Sequence, residues 1–283
     1  MSGCGAPLVN LLATCVMLFL GALGGGTIPL LVGPTRSKAD LVSGVAAGFL
    51  VGSVLGVIVP EGFEALRSEI DTEGNTHDGH HHHEHHHHSD WMIGASMVGG
   101  FMLMLILDSL SGSHSHADIV PDEHRRGKEV GHLLFGLVIH SIADGLAVGV
   151  AALAPDGCIG LLVGIAMVLH KGPVAFGFTA YLLTLRRPIE KIRAELLIFA
   201  VASPIAALLI YGVHELMPPF LGSTNIGYLL LFSAGTFLYV ACSHIVPDLL
   251  HSHNGPISNQ SILAICSGGV IPLLLTSWLG HGH

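Results

Sequence analysis

At 283 residues the chain is 51% hydrophobic and only 11% charged, with a mean hydropathy of +0.67. A soluble domain carries about 25% charged residues, so this deficit excludes an ordinary water-exposed fold and points to lipid as the solvent. The formal charge of −9, with 21 histidines counted as neutral, leaves no basic patch for nucleic acid.

From the N-terminus, the first apolar run lacks the basic stretch of a secretory signal and is long enough to span, so it is expected to remain as a membrane helix. Crossing the hydrocarbon core takes about 20 mostly apolar residues. Eight segments qualify: 7–32, 40–60, 91–110, 133–154, 158–185, 194–216, 226–250 and 260–280. The runs are continuous rather than alternating, which argues against barrel strands. The expected fold is all-α integral membrane, a single eight-span domain over 1–283. Two polar insertions interrupt it, a His-rich loop at 67–90 and a second loop at 112–131. Five cysteines, Cys4, Cys15, Cys158, Cys242 and Cys266, show no paired spacing and read as small apolar residues.

Arg36 and Lys38 lie in the first connection, Arg125, Arg126 and Lys128 in the third, and Arg186, Arg187, Lys191 and Arg193 in the fifth. Of the remaining basic residues, Arg67 falls on the opposite side and Lys171 lies inside a span. The positive-inside rule therefore puts the odd-numbered connections, 112–131 among them, in the cytosol. Both termini and the 67–90 loop are expected to be extracellular or luminal.

An internal repeat links distant spans. Ala47-Gly48 followed by Ile58-Val59-Pro60-Glu61 matches Ala234-Gly235 followed by Ile245-Val246-Pro247-Asp248 at identical spacing. A weaker match sets Ala95 and Gly99-Gly100 against Ala264 and Gly268-Gly269. Spans 1–3 then correspond to spans 6–8, and the odd offset inverts the second copy. The expected arrangement is 3+2+3 around central spans 4 and 5, a transporter pattern with its substrate site near the midplane. A chance match of apolar residues is the competing reading, against which stand the two proline-acidic endings.

The central spans carry the chemistry. His140 and Asp144 are four apart and share a face of span 4, with Ser141 beside them; span 5 holds His170, Lys171 and Pro173. An unpaired ionisable group in lipid is costly, so such residues mark function by default. Two imidazoles and a carboxylate suit Zn²⁺ with positions left open for exchange. Pro173 frees the carbonyl of Leu169 and favours a kink beside His170. The bland alternative is core histidines satisfied by interhelical hydrogen bonds. Four such groups on adjacent central helices favour a site.

The runs His140-Ser141-Ile142-Ala143-Asp144-Gly145 and His170-Lys171-Gly172-Pro173 resemble the fourth- and fifth-span signatures of the ZIP family of zinc transporters. They are most similar to the branch with Golgi-associated members. The resemblance implies eight spans, outside termini, and His140, Asp144 and His170 as ligands of the main transport site. It implies Zn²⁺ as the transported substrate, with Fe²⁺, Mn²⁺ or Cd²⁺ as relatives' substrates. Entry into the cytosol would need no ATP and no catalytic cofactor, and would use an elevator-like movement. It also implies residence in the Golgi or plasma membrane, and a homodimer is compatible with it. Three positions depart from the family pattern, since Ser141, Lys171 and Val174 stand where many members supply a second metal's ligands. These departures point to a single ion, with the Lys171 ammonium in the second place; alternatively Lys171 merely neutralises Asp144 or snorkels.

Glu61 and Glu64 share one face, as do His244, Asp248 and His251, and Asp108 ends the third span. These could be entry or exit ligands, or interfacial residues reaching water. The tract His80, His81, His82, His83, Glu84, His85, His86, His87, His88 has the composition of a disordered loop and the chemistry of an accessory metal collector. An intramembrane zinc hydrolase is the alternative from another class. It needs a general base beside metal-bound water, and no HExxH helix is present. A proton channel or pH-responsive receptor is a third reading.

Overall fold

A computed structural model describes residues 6–32, 39–74, 86–110, 122–153, 157–216, 226–245 with 247, and 259–280. Among these residues the chain is helical, without strands. Helix α1 spans Pro7–Val32, α2 Ala39–Ser53, α3 Val59–Gly74, α4 His86–Leu110, α5 Asp122–Ala151, α6 Gly157–Thr184, α7 Ile189–Leu216, α8 Ile226–Val240 and α9 Asn259–Gly280. Helices α2 and α3 form one continuous span. Seven helical stretches among the described residues are long and apolar enough to cross a membrane, and α9 adds a shorter apolar one.

Several helices outrun their apolar stretches. Helix α3 continues to Gly74, α5 begins at Asp122, and α7 begins at Ile189. The polar insertions are therefore helical over 67–74, 86–90 and 122–131; their remaining residues, including His80–His85, lie outside those described. Hydropathy reports the thickness of the bilayer and not the length of the helix, so charged turns beyond it go unmarked. Helix α6 runs unbroken through Pro173.

Two five-residue stretches are wound more widely, Val54–Ile58 between α2 and α3 and Ala241–Ile245 after α8. In the first, the Val59 N–H donates to the Val54 carbonyl five residues back. The cause lies just downstream in each case: Pro60 and Pro247 lack the N–H that a regular helix would use. Such wide turns are rare and cluster at functional sites.

Packing divides the helices into two groups. Helices α1, α5, α6 and α7 pack on one another, as do α2–α3, α4, α8 and α9, and the groups meet where α5 faces α8 and where α2 faces α6. Apolar side chains from both groups fill the junction, including Leu50, Ile58, Leu137, Val174, Phe178 and Phe237. Large apolar residues on the outer faces of α1, α4 and α7 remain exposed, as lipid contact requires.

Glycines set the closest approaches. A Cβ on Gly48 of α2 would overlap the carbonyl of Ile265, and one on Gly268 of α9 that of Val45. In the α4–α8 pair, Gly235 meets the carbonyl of Met97 and Gly100 that of Phe232 in the same way. Small residues at such crossings let membrane helices pack backbone to backbone.

Candidate metal centre

The centre lies where α5 and α6 face the other helix group. Four-residue spacing on α5 stacks His140 above Asp144, and the adjacent α6 presents His170 and Lys171. All four side chains are fully buried. The Asp144 Oδ2 atom is the hub, 3.3 Å from His140 Nε2, 3.4 Å from His170 Nε2 and 3.3 Å from Lys171 Nζ. One ligand atom from each of His140, Asp144 and His170 falls within 4.8 Å of the others.

These spacings decide what could fit. Zn²⁺ takes nitrogen and oxygen ligands at about 2.0–2.2 Å in a tetrahedron, whose edges are then roughly 3.3–3.5 Å. Both imidazole-to-carboxylate separations match such an edge. His140 Nε2 makes no hydrogen bond despite complete burial, and neither does His170 Nδ1. A buried polar atom without a partner costs about 1–3 kcal/mol, which a cation would offset at His140 Nε2.

Lys171 is held differently. Its Nζ donates to Ser141 Oγ at 2.7 Å, Ser203 Oγ at 2.5 Å and Asp144 Oδ2 at 3.3 Å. Ser203 gives its own proton to the Ser141 carbonyl at 2.6 Å, and Ser141 donates to the Phe199 carbonyl at 3.5 Å. All three partners of Nζ are thus acceptors and require three N–H donors, the full complement of an ammonium. The ammonium also lies 4.6 Å from the centroid of the Phe199 ring. The polar contacts tie α6 to α5 and α7.

From the opposite group, α8 grips the imidazole of His140. Phe237 stacks on its face with ring centroids 4.5 Å apart and planes 16° apart. Ser233 Oγ lies 2.8 Å from His140 Nδ1 and 2.5 Å from Asp144 Oδ1.

The other residues singled out from sequence fall in different places. Glu61 follows the wide turn and has a buried Oε2 without a hydrogen-bond partner. Glu64, on the same helix, is exposed. Asp108 belongs to a separate cluster, accepting from the Tyr239 hydroxyl at 2.8 Å with His132 Nδ1 at 3.5 Å. The side chain of His244, the residues Asp248 and His251, and the side chains of the tract His80–His88 lie outside the described residues. Ser203, Ser233, Phe199 and Phe237 were not singled out from sequence. The available signal was faint: Ser233 directly precedes the repeated Ala234-Gly235, and Ser203 precedes the intrahelical Pro204.

Residues 130–276 match the model of the family described as ZIP zinc transporter. The chain is 37% identical over 294 residues to zinc transporter ZIP9-A of Xenopus laevis, covering 94% of this chain and 96% of that protein. It is 36% identical over 301 residues to zinc transporter ZIP9 of Micropogonias undulatus, covering 95% and 96%. Similarity to zinc transporter ZIP13 of Mus musculus is more partial, 30% over 174 residues, covering 59% and 47%.

Proposed function

Because the chain belongs to the ZIP family of zinc transporters, a multi-pass membrane family that moves Zn²⁺ as substrate, we propose that the ion crosses through a single site made by His140, Asp144 and His170. The protein is a transporter and not an enzyme, and it uses no catalytic cofactor. The hydrolase alternative has no support among its relatives. One observation carries the site: three buried ligand atoms converge, both imidazole nitrogens lie one zinc-tetrahedron edge from Asp144 Oδ2, and His140 Nε2 is left without a hydrogen bond.

A single ion is favoured because the Lys171 ammonium already neutralises Asp144 and fills the neighbouring space. Glu61 is the best candidate for a further donor, supplied from the opposite helix group. Glu64, Asp248, His244 and His251 would extend the path towards the two surfaces.

The 3+2+3 inverted repeat is supported by matched contacts. Gly48 and Gly235 are 187 apart, as are Val45 and Phe232 and as are the starts of the two wide turns, Val54 and Ala241. Met97 and Ile265 are 168 apart, as are Gly100 and Gly268, so α4 and α9 match one residue off the alignment suggested by their sequences. A pseudo-twofold that exchanges α2 with α8 and α4 with α9 also exchanges α5 with α6. The placement of the ligands supports movement of one helix group against the other. All three sit on α5 and α6 and face α8 and α3, so sliding the groups would expose the ion to each side in turn. The positive-inside rule orients the chain for passage into the cytosol, from the Golgi lumen or the cell exterior, with the His80–His88 tract collecting metal outside.

Zn²⁺ uptake by proteoliposomes tests the reading. His140→Ala and His170→Ala should each cut the initial rate by more than about 100-fold, beyond the 10- to 100-fold typical of outer-shell changes. Unchanged flux in either variant would contradict the site.

A further inference from the structure

Ser233 stands outside the ligand set, on a helix that supplies none of it, yet it touches two of the three ligands. Its hydroxyl has one proton to give. Asp144 Oδ1, at 2.5 Å, belongs to a carboxylate that accepts from Lys171 through its other oxygen, so the proton of Ser233 goes to Asp144. His140 Nδ1 then meets only acceptors, the Ser233 oxygen at 2.8 Å and the Ser233 carbonyl at 3.3 Å. Nδ1 must therefore carry a hydrogen. On the far side of the ring, Nε2 is buried, makes no hydrogen bond, and faces Asp144 Oδ2 at 3.3 Å. A neutral imidazole carries one ring hydrogen, and here it sits on Nδ1. Nε2 is thus the bare lone pair, aimed at the position a metal would take.

We infer that Ser233 is a positioning residue for transport, which fixes His140 as the Nδ1–H tautomer and so presents Nε2 to the incoming ion. The same hydroxyl orients Asp144, while Phe237, one turn on, holds the plane of the His140 ring. Thr236 steadies the arrangement by donating to the Ser233 carbonyl at 2.7 Å. The general role is well founded, since a metal-binding imidazole usually gives its other N–H to a fixed acceptor that sets both tautomer and orientation. Here that acceptor comes from the opposite helix group. His140 is therefore set for metal only while α8 lies against α5.

The inference rests on the site proposed above, and the experiment separates the two. In proteoliposomes with Zn²⁺ as the only transported ion, Ser233→Ala should raise KM by about 10- to 100-fold. It should leave kcat within a small factor, as expected when binding and not the later steps is weakened. Ser233→Thr, which keeps the hydroxyl, should restore most of the loss. A Ser233→Ala variant with wild-type KM, beside a His140→Ala variant without flux, would overturn the inference and leave the site standing. Flux that survives His140→Ala would overturn both. A second readout is taken on the unaltered protein, with His140→Ala used only to assign the signal. With ¹⁵N-histidine label and no metal, the imidazole signal absent from His140→Ala should be that of the Nδ1–H tautomer, and an Nε2–H signal would refute the assignment.

Discussion

Asp144 and Asp108 are both buried carboxylates beside a histidine, and their surroundings give them opposite characters. At Asp108 the neighbours close on the carboxylate, Tyr239 donating to one oxygen and His132 approaching the other, with Phe101 edge-on to Tyr239 at 5.2 Å. That cluster links α4, α5 and α8 and reads as a latch. At Asp144 two imidazoles and an ammonium crowd one oxygen while His140 Nε2 finds no hydrogen bond. A buried carboxylate beside a histidine is therefore a poor guide to a metal site. What separates the two is whether a ring nitrogen beside the carboxylate is left without a hydrogen bond, as His140 Nε2 is.

Removing one partner of the Asp144–Lys171 pair should break the comparison most sharply. Asp144→Ala would strand a buried ammonium, a change that costs about 3–5 kcal/mol when a buried pair is split. Both zinc flux and the thermal midpoint of the detergent-solubilised protein should fall. The double variant Asp144→Asn with Lys171→Met should regain most of that stability without regaining flux. Recovered transport in the double variant would mean that Asp144 is structural.

Lys171→Glu comes next. It exchanges the fixed cation for a carboxylate among His170, Asp144 and Ser141, and should raise the zinc bound per protein from one to two or alter the preference among divalent ions. Unchanged stoichiometry and unchanged selectivity together would show that the ammonium does not hold the second place.

The Asp108 cluster should respond more mildly. Tyr239→Phe removes one hydrogen bond to a charged group, worth about 1.5–3 kcal/mol. Heating should reveal that loss, while zinc uptake at a permissive temperature stays close to wild type. A loss of flux as large as that of His140→Ala would move Asp108 from latch to path.

The smallest effect is expected at the turn between α6 and α7, where Arg186 adopts φ 55°. This left-handed conformation costs a non-glycine residue roughly 1–2 kcal/mol. Next to it, Arg187 donates to Glu195 through Nε at 3.2 Å and Nη2 at 2.7 Å, which anchors the turn to α7. Arg186→Gly should raise the thermal midpoint slightly and leave flux unchanged; a lower midpoint would show that the Arg186 side chain contributes more than its backbone costs.

How far the sequence was legible follows from the physics of lipid. An apolar stretch of fixed length announces a span, and a charge within it stands out, so the eight segments and the pair His140 with Asp144 could be read directly. Hydroxyls could not be sorted in this way. Ser53, Ser96 and Ser109 donate to carbonyls four residues back in their own helices, whereas Ser203 and Ser233 reach across to α5. All five are serines in apolar helices, and only tertiary packing distinguishes them. The one-residue difference in matching α4 with α9 has a similar origin. Gly99-Gly100 and Gly268-Gly269 are adjacent pairs in apolar surroundings, and sequence offers nothing to decide which glycine meets the neighbouring carbonyl.

The number of zinc ions held in the membrane tests the single His140–Asp144–His170 site most directly. Equilibrium binding of Zn²⁺ to purified protein, with His80–His83 and His85–His88 changed to serine to silence the tract, measures it. One ion per chain is predicted, lost in the double variant His140→Ala with His170→Ala. Two ions per chain, or one ion retained by the double variant, would contradict it.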